Sequence, residues 1–286
     1  MTSPGLPGSD QPSRSGPSWT DLGPRFLSAG VLVLVIAPGL YFGGYVFAAL
    51  AAIVFGITYR EWEQMVTLQP LGPFGIVLIV LLGLAAVLYP LLGPLGVISL
   101  IAVAALVSTF GDKAVMPWRI GGIVYFGLVL IAVLGMRGTD GWGIVAGWYL
   151  GIVIALNDTG AFFVGRVIGG PKLAPMISPA KTWSGSIGGW LTGTLAGTLY
   201  WMVFTHSPWA LGLLLSALLG IAGQVGDLAE SAVKRVFRIK DSGDIIPGHG
   251  GFMDRLDSVT FGVLLLAIIG ATRGGVGHIA QGFLNW

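Results

Sequence analysis

From Arg25 onward the chain is a succession of apolar stretches of about 17–25 residues, the length at which a helix crosses ~30 Å of hydrocarbon. The stretches fall at 25–43, 45–62, 74–92, 94–110, 119–136, 142–166, 183–205, 208–236 and 257–273, with Pro38-Gly39 and Gly43-Gly44 marking the first break. Charge agrees with this pattern. Only 10% of residues are Asp, Glu, Lys or Arg, against about 25% in a soluble protein. Fifteen Lys and Arg with thirteen Asp and Glu cannot coat a wetted surface. The expected fold is therefore an all-α polytopic integral membrane protein with nine transmembrane helices. A net charge of +2 gives no footprint for nucleic acid, and the absence of cysteine excludes disulfides, thiolate catalysis and Cys-based metal sites.

Residues 1–20 hold twelve Pro, Gly or Ser and no apolar run, so 1–24 is expected to be a disordered tail. No secretory signal is expected, since no small-residue cleavage site follows the first apolar stretch at the usual distance. Residues 25–140 then form the N-terminal transmembrane helices, and 141–286 a C-terminal catalytic region with its site loops.

Orientation follows from the positive residues. With nine spans, thirteen of the fifteen Lys and Arg fall on one side and only Arg137 and Arg273 on the other. The first side is cytosolic by the positive-inside rule. This puts the N-terminus inside, in the cell's inner (cytoplasmic) membrane, with the C-terminus outside. It also puts the loops 167–182 and 237–256 on the same cytosolic face, where they can share a site.

Several motifs read most simply as structure. Gly185, Gly189, Gly193 and Gly197 recur every fourth residue along one helix ridge, which lets a neighbouring helix approach closely. The tryptophans cluster at segment ends, as interfacial anchors do. Asn157-Asp158-Thr159 matches a glycosylation sequon but lies beside the membrane on the cytosolic side. GWGIVA at 141–146 imitates a dinucleotide fingerprint without a preceding strand, and Lys181-Thr182 lacks the glycines of a P-loop.

Chemistry is concentrated where the charge is. Residues 227–257 contain Asp227, Glu230, Asp241, Asp244, Asp254 and Asp257 together with Lys234, Arg235, Arg238, Lys240 and Arg255, eleven of the chain's 28 charges. On a continuous helix, Asp227, Glu230, Ser231, Lys234 and Arg238 form one polar stripe. Asp254 and Asp257, three apart as the last helix begins, also share a face. Between these two helices lies Ile-Pro-Gly-His-Gly-Gly-Phe (246–252), whose glycines let backbone N–H groups approach an anion. Carboxylates on two helix ends, a glycine-rich turn and several cations suit a hard divalent cation and phosphate groups. The simpler alternative, a solvated loop obeying the inside rule, accounts for the cations but not for six acids and a glycine-rich turn. A second cluster spans 157–189. There Asp158 sits within an apolar stretch, a functional position by default or a structural ion pair, followed by Arg166, Lys172 and Lys181. His249 beside Gly250-Gly251 is read as orienting or contacting phosphate rather than abstracting a proton. A phosphomonoester, with second pKa ~6, is already largely ionised at neutral pH.

These residues carry a resemblance. S-A-V-K-R-V-F-R-I-K-D-S-G-D-I-I-P-G-H-G-G-F-M-D-R-L-D at 231–257 closely resembles the signature of phosphatidate cytidylyltransferases, the CDP-diglyceride synthetases. So do G-D-L-A-E at 226–230, N-D-T-G-A-F-F-V-G-R at 157–166 and S-P-A-K-T-W at 178–183. The resemblance covers the last ~130 residues by motif and the first half only by hydropathy. It implies a membrane enzyme joining CTP to phosphatidate, giving CDP-diacylglycerol and pyrophosphate, as a homodimer dependent on Mg²⁺, with room for a monovalent cation such as K⁺. By motif position Asp227 and Asp254 would be the metal-binding acids. Lys234, Asp241, His249 and Asp257 would complete the catalytic set. Asp158, Lys181, Ser231, Arg235, Lys240, Gly250, Gly251 and Arg255 would bind substrate. One departure stands out: the family usually has Glu-Gly after Lys-Thr-x, where this chain has Ser184-Gly185. A cytidylyltransferase acting on another lipid phosphate and a membrane transporter remain the rival readings. The pattern of CDP-alcohol phosphotransferases is absent, and so is the internal repeat of broken helices expected of a transporter.

Overall fold

The computed structural model describes residues 22–243 and 250–286. Helices α1 (Leu22–Phe42), α2 (Gly44–Thr67), α3 (Pro73–Ser108), α4 (Met116–Arg137) and α5 (Trp142–Ile168) come first. Strands β1 (Lys172–Ala174) and β2 (Ser178–Thr182) follow, then α6 (Trp183–Phe204), α7 (Trp209–Val236), a 3-10 turn (Met253–Arg255), α8 (Asp257–Gly274) and α9 (Ile279–Leu284). Among the described residues, α2, α3, α4, α5, α7 and α8 are each long and apolar enough to cross a membrane. The chain is a polytopic membrane protein. Residues 1–21 of the expected tail lie outside the described residues, whereas 22–24 belong to α1.

The break between α1 and α2 is at Gly43, whose φ of 61° is closed to most side chains. Arg137 secures it: its Nε donates to the Leu40 carbonyl at 2.5 Å and its Nη2 to that of Tyr41 at 3.3 Å. These carbonyls at the end of α1 have no helical partner of their own. α3 unites two stretches expected as separate spans, 74–92 and 94–110. Drawn straight, its 36 residues would run ~54 Å. Instead Gly93 leaves the helical region (φ 63°, ψ −167°) between Pro90 and Pro94. A side chain placed on Gly111 would touch the ring of Phe74, and Tyr89 lies against Gly135 at the far end of α4. α3 therefore doubles back on itself, and its two halves run antiparallel.

One element departs from the expected all-α fold. Gly169 and Gly170, both with positive φ, end α5, and prolines at 171, 175 and 179 cannot continue a helix. Residues 172–182 instead close an antiparallel hairpin, pairing Lys172 with Thr182 and Ala174 with Ser178. Thr182 then caps α6, its side-chain oxygen accepting the Gly185 N–H at 3.1 Å.

The glycine ridge packs as its spacing suggests. Gly185, Gly189, Gly193 and Gly197 are buried against α5. A Cβ on Gly185 would lie 2.8 Å from the Ala161 carbonyl, and one on Gly193 2.7 Å from that of Val153. Backbones this close leave no room for a larger residue. A polar layer crosses the same bundle: Gln224 of α7 donates to Asn157 Oδ1 at 3.0 Å and to the Ser186 carbonyl at 2.8 Å, and Ser186 donates to Gln224. On the other half, buried Glu63 and Arg119 form a forked ion pair joining α2 to α4.

Candidate active site

α7 supplies the spine. It runs unbroken through Asp227, Glu230, Ser231 and Lys234, so these share a face as expected. The stripe stops there. α7 ends at Val236, and Arg238 takes a left-handed conformation (φ 58°), its N–H bonded to the Arg235 carbonyl at 3.1 Å. Arg238 therefore leaves the stripe.

Two carboxylate groups meet this face. In the first, Asp227 pairs with Lys181 of β2 at 2.5 Å. Asp158 of α5 and Asp257 at the start of α8 lie within electrostatic reach of Asp227 and of each other. Asn157 donates to Asp158 at 3.4 Å. The second centres on Asp254. Its Oδ1 accepts from Lys234, which also pairs with Glu230 at 3.1 Å. Its Oδ2 accepts backbone N–H groups from Ser242 at 3.1 Å and Gly251 at 2.8 Å. Burial opposes charge on Asp254, but hydrogen bonds with Glu230 and Lys234, the Lys234 charge and the Ser242 amide outweigh it. They hold its carboxyl below the usual carboxylate range.

Asp254 and Asp257 both neighbour Glu230 of α7. Asp254 lies in the 3-10 turn and faces Lys234, whereas Asp257 opens α8 and faces Asp227 and Glu230. The glycine turn behaves as its composition implies. Gly250 has φ 78°, and a Cβ on Gly251 would sit 2.6 Å from Glu61 Oε2. Only glycine fits these two positions.

The other expected residues divide. Asp241 is exposed but close to Gly250. Arg235 bridges the two loops, donating to the Ile177 carbonyl at 3.0 Å and to that of Ile239 at 2.8 Å. The hairpin and the 237–243 segment thus meet at one end of α7. Arg255 lies in the 3-10 turn beside Asp254, and Ser231 is buried on α7. Lys240 is exposed. His249 lies outside the described residues. Ser184 is used locally, its hydroxyl donating to the Gly169 carbonyl where the loop leaves α5.

Glu61 was not anticipated. It is fully buried near the end of α2, more than 180 residues before the loop it meets, and its carboxylate accepts three hydrogen bonds from residues 242–253. Its signal was an acid at the edge of an apolar stretch, which resembles an ordinary span boundary. A cavity of about 620 Å³ opens beside it, lined by Arg60, Gln64, Asp241 and Ser242 among others. A second, smaller cavity of about 160 Å³, lined mainly by apolar residues of α2, α4, α7 and α8, reaches Glu230 and Asp257.

Among the described residues, no three His, Asp or Glu side chains stand around one point as metal ligands. The donor chemistry nevertheless suits a hard cation. Five carboxylates, Asp158, Asp227, Glu230, Asp254 and Asp257, are gathered around the ammonium groups of Lys181 and Lys234.

Comparison with known proteins places the chain in a family. Residues 24–272 match the family model described as the cytidylyltransferase family. The chain is 34% identical over 256 residues to the phosphatidate cytidylyltransferase of Brucella suis, covering 88% of this chain and 94% of that protein. It is 41% identical over 139 residues to the phosphatidate cytidylyltransferase of Bacillus subtilis, covering 48% of this chain and 52% of that one. With the enzyme of the same name from Staphylococcus saprophyticus it shares 49% over 120 residues, 41% of this chain and 46% of that protein.

Proposed function

The chain belongs to the cytidylyltransferase family, and on that premise we propose that it is a phosphatidate cytidylyltransferase, converting CTP and phosphatidate to CDP-diacylglycerol and pyrophosphate. The observation that carries the reading is the convergence of Asp158, Lys181, Asp227, Lys234, Asp254 and Asp257, from separate elements, on one end of α7. An apolar chain has no structural need for such a cluster, because burying charge in a membrane protein is costly.

In the reaction a phosphate oxygen of phosphatidate attacks the α-phosphorus of CTP. A new P–O bond forms, the bond to the β-phosphate breaks, and pyrophosphate carries away the electron pair. Lys181 and Lys234 present ammonium groups to the phosphates, and the Gly251 N–H holds Asp254 beside them. Mg²⁺ would be held by Asp227 and Asp254, with Asp158 and Asp257 beside Asp227, and when bound would neutralise charge on the phosphates. Lys234 holds Asp254 in place, and Asp241 stands at the mouth of the larger cavity, where the nucleotide enters from water. Phosphatidate, whose acyl chains stay in lipid, arrives laterally from the inner leaflet. The enzyme works at the cytosolic face of a bacterial inner membrane, N-terminus inside, with nine passes counting both halves of α3, and as a homodimer.

The test is pyrophosphate release by the purified protein, with CTP and Mg²⁺, offered phosphatidate, an isoprenoid phosphate or no lipid. Release that requires phosphatidate is expected. Release only with the isoprenoid phosphate would move the substrate to another lipid class. Cation binding without product would favour a transporter.

A further inference from the structure

The turn carrying Asp254 is short and glycine-rich, and such a segment does not fix a side chain by itself. Something outside it must. Two backbone N–H groups enter Asp254 Oδ2, from Ser242 and from Gly251, so the position of this carboxylate depends on both ends of the 242–251 segment. Both ends are held by the same outside group. Glu61 Oε2 accepts the Ser242 hydroxyl at 2.9 Å and the Met253 N–H at 2.8 Å, and Oε1 accepts the Phe252 N–H at 2.8 Å. Ser242 is thus shared: its amide holds Asp254 while its hydroxyl is held by Glu61. Gly243 and Gly251 bring backbone against the same carboxylate, where a Cβ would lie 2.9 Å from Oε1 and 2.6 Å from Oε2 respectively. A buried acid whose oxygens accept three donors from one loop, with glycines shaped around it, is a clamp.

We infer that Glu61, on the second helix of the N-terminal half, is a positioning residue for catalysis: it clamps Ser242, Phe252 and Met253 so that Asp254 and Lys234 stand in their working geometry. The inference rests on the cytidylyltransferase reading of the site. It gives the N-terminal half, which carries none of the signature residues, an indirect part in the reaction. It also separates Glu61 from Glu63, two residues along the same helix, whose carboxylate is taken up by Arg119.

Glu61→Gln keeps the shape but offers N–H donors where the loop also donates. In the full-length protein in lipid nanodiscs, kcat should fall on the order of 10- to 100-fold, as a displacement near 1 Å costs. KM for CTP should change much less, since the larger cavity keeps its other walls. Amide exchange at Phe252 and Met253 should quicken by about tenfold or more. Glu61→Asp, which keeps acceptor oxygens, should recover part of kcat. Glu63→Gln should lower thermal stability but leave kcat per folded molecule unchanged. If Glu61→Gln does not fold, Ser242→Ala removes one of the three bonds and should show the same exchange change and a smaller kcat loss. Wild-type kcat and wild-type exchange in either variant would overturn the inference. So would a Glu61→Gln deficit that disappears when rates are expressed per folded molecule. A wild-type protein inactive on phosphatidate would refute the functional reading, while the exchange measurement would still test the clamp.

Discussion

Asp254 occupies the most constrained position in the site, with one oxygen turned to Lys234 and the other to two backbone N–H groups. Asp254→Asn replaces an acceptor oxygen with an NH₂ group that faces either an ammonium or two amides. Turnover should drop on the order of 10²–10³-fold or more, with an unchanged circular-dichroism spectrum; wild-type rates would remove Asp254 from the chemistry. Protonation supplies a second check. Because the folded-state pKa of Asp254 is depressed, its contribution to stability is fully present above the unfolded carboxylate value of about 3.9 and is lost as pH falls through the lower folded value. The stability gap between wild type and Asp254→Asn should therefore hold from neutral pH down to about pH 4 and narrow only below it. A gap that closes near pH 6 would contradict the depressed value. At this scale the sequence was informative because charge is scarce: in an apolar chain, an acid that is not at a helix edge has to be explained. Glu61 escaped for the same reason, since an acid at the end of a span resembles a boundary.

At the scale of elements, close helix packing was the most legible feature. Four glycines spaced by four residues imply one smooth ridge, and α5 lies directly against it. Gly189→Leu would force side-chain atoms into the α5 backbone around Asn157 and Ala161. It should cost about 1–3 kcal/mol, read as a lower midpoint in thermal unfolding monitored by tryptophan fluorescence. Leucine at 189 with an unchanged midpoint would show that the helices can separate freely. The Glu63–Arg119 pair tests the other half of the molecule. Removing one partner strands a buried charge, so Glu63→Gln should cost about 3–5 kcal/mol. The β-hairpin was not legible. Strands of three and five residues are too short for an alternating pattern to emerge, and this one is fixed by tertiary partners, Lys181 to Asp227 and Arg235 to the Ile177 carbonyl. The turn within α3 was legible, because Pro90, Gly93 and Pro94 interrupt a run that would otherwise be too long for one crossing.

For the whole molecule, composition gave the membrane class and the asymmetry of Lys and Arg gave an orientation. What neither could supply was the contact between the halves, because the site is closed by a residue of α2 meeting a loop that follows α7. The absence of cysteine makes the orientation directly measurable. Cysteine at Met176, in the hairpin turn, should be shielded from an impermeant maleimide in intact cells, and cysteine at Val276, beyond α8, should be labelled; the reverse would invert the topology. Chelation should abolish activity and added Mg²⁺ restore it, whereas activity that survives chelation would remove the metal from the proposal. The most direct test of the central claim follows radiolabelled CTP with the purified protein, phosphatidate and Mg²⁺ in lipid vesicles. Label should pass into the chloroform-soluble fraction as CDP-diacylglycerol, in step with phosphatidate consumed, and the Asp254→Asn protein should not transfer it. Label that stays in the aqueous phase with folded wild-type protein would contradict the account.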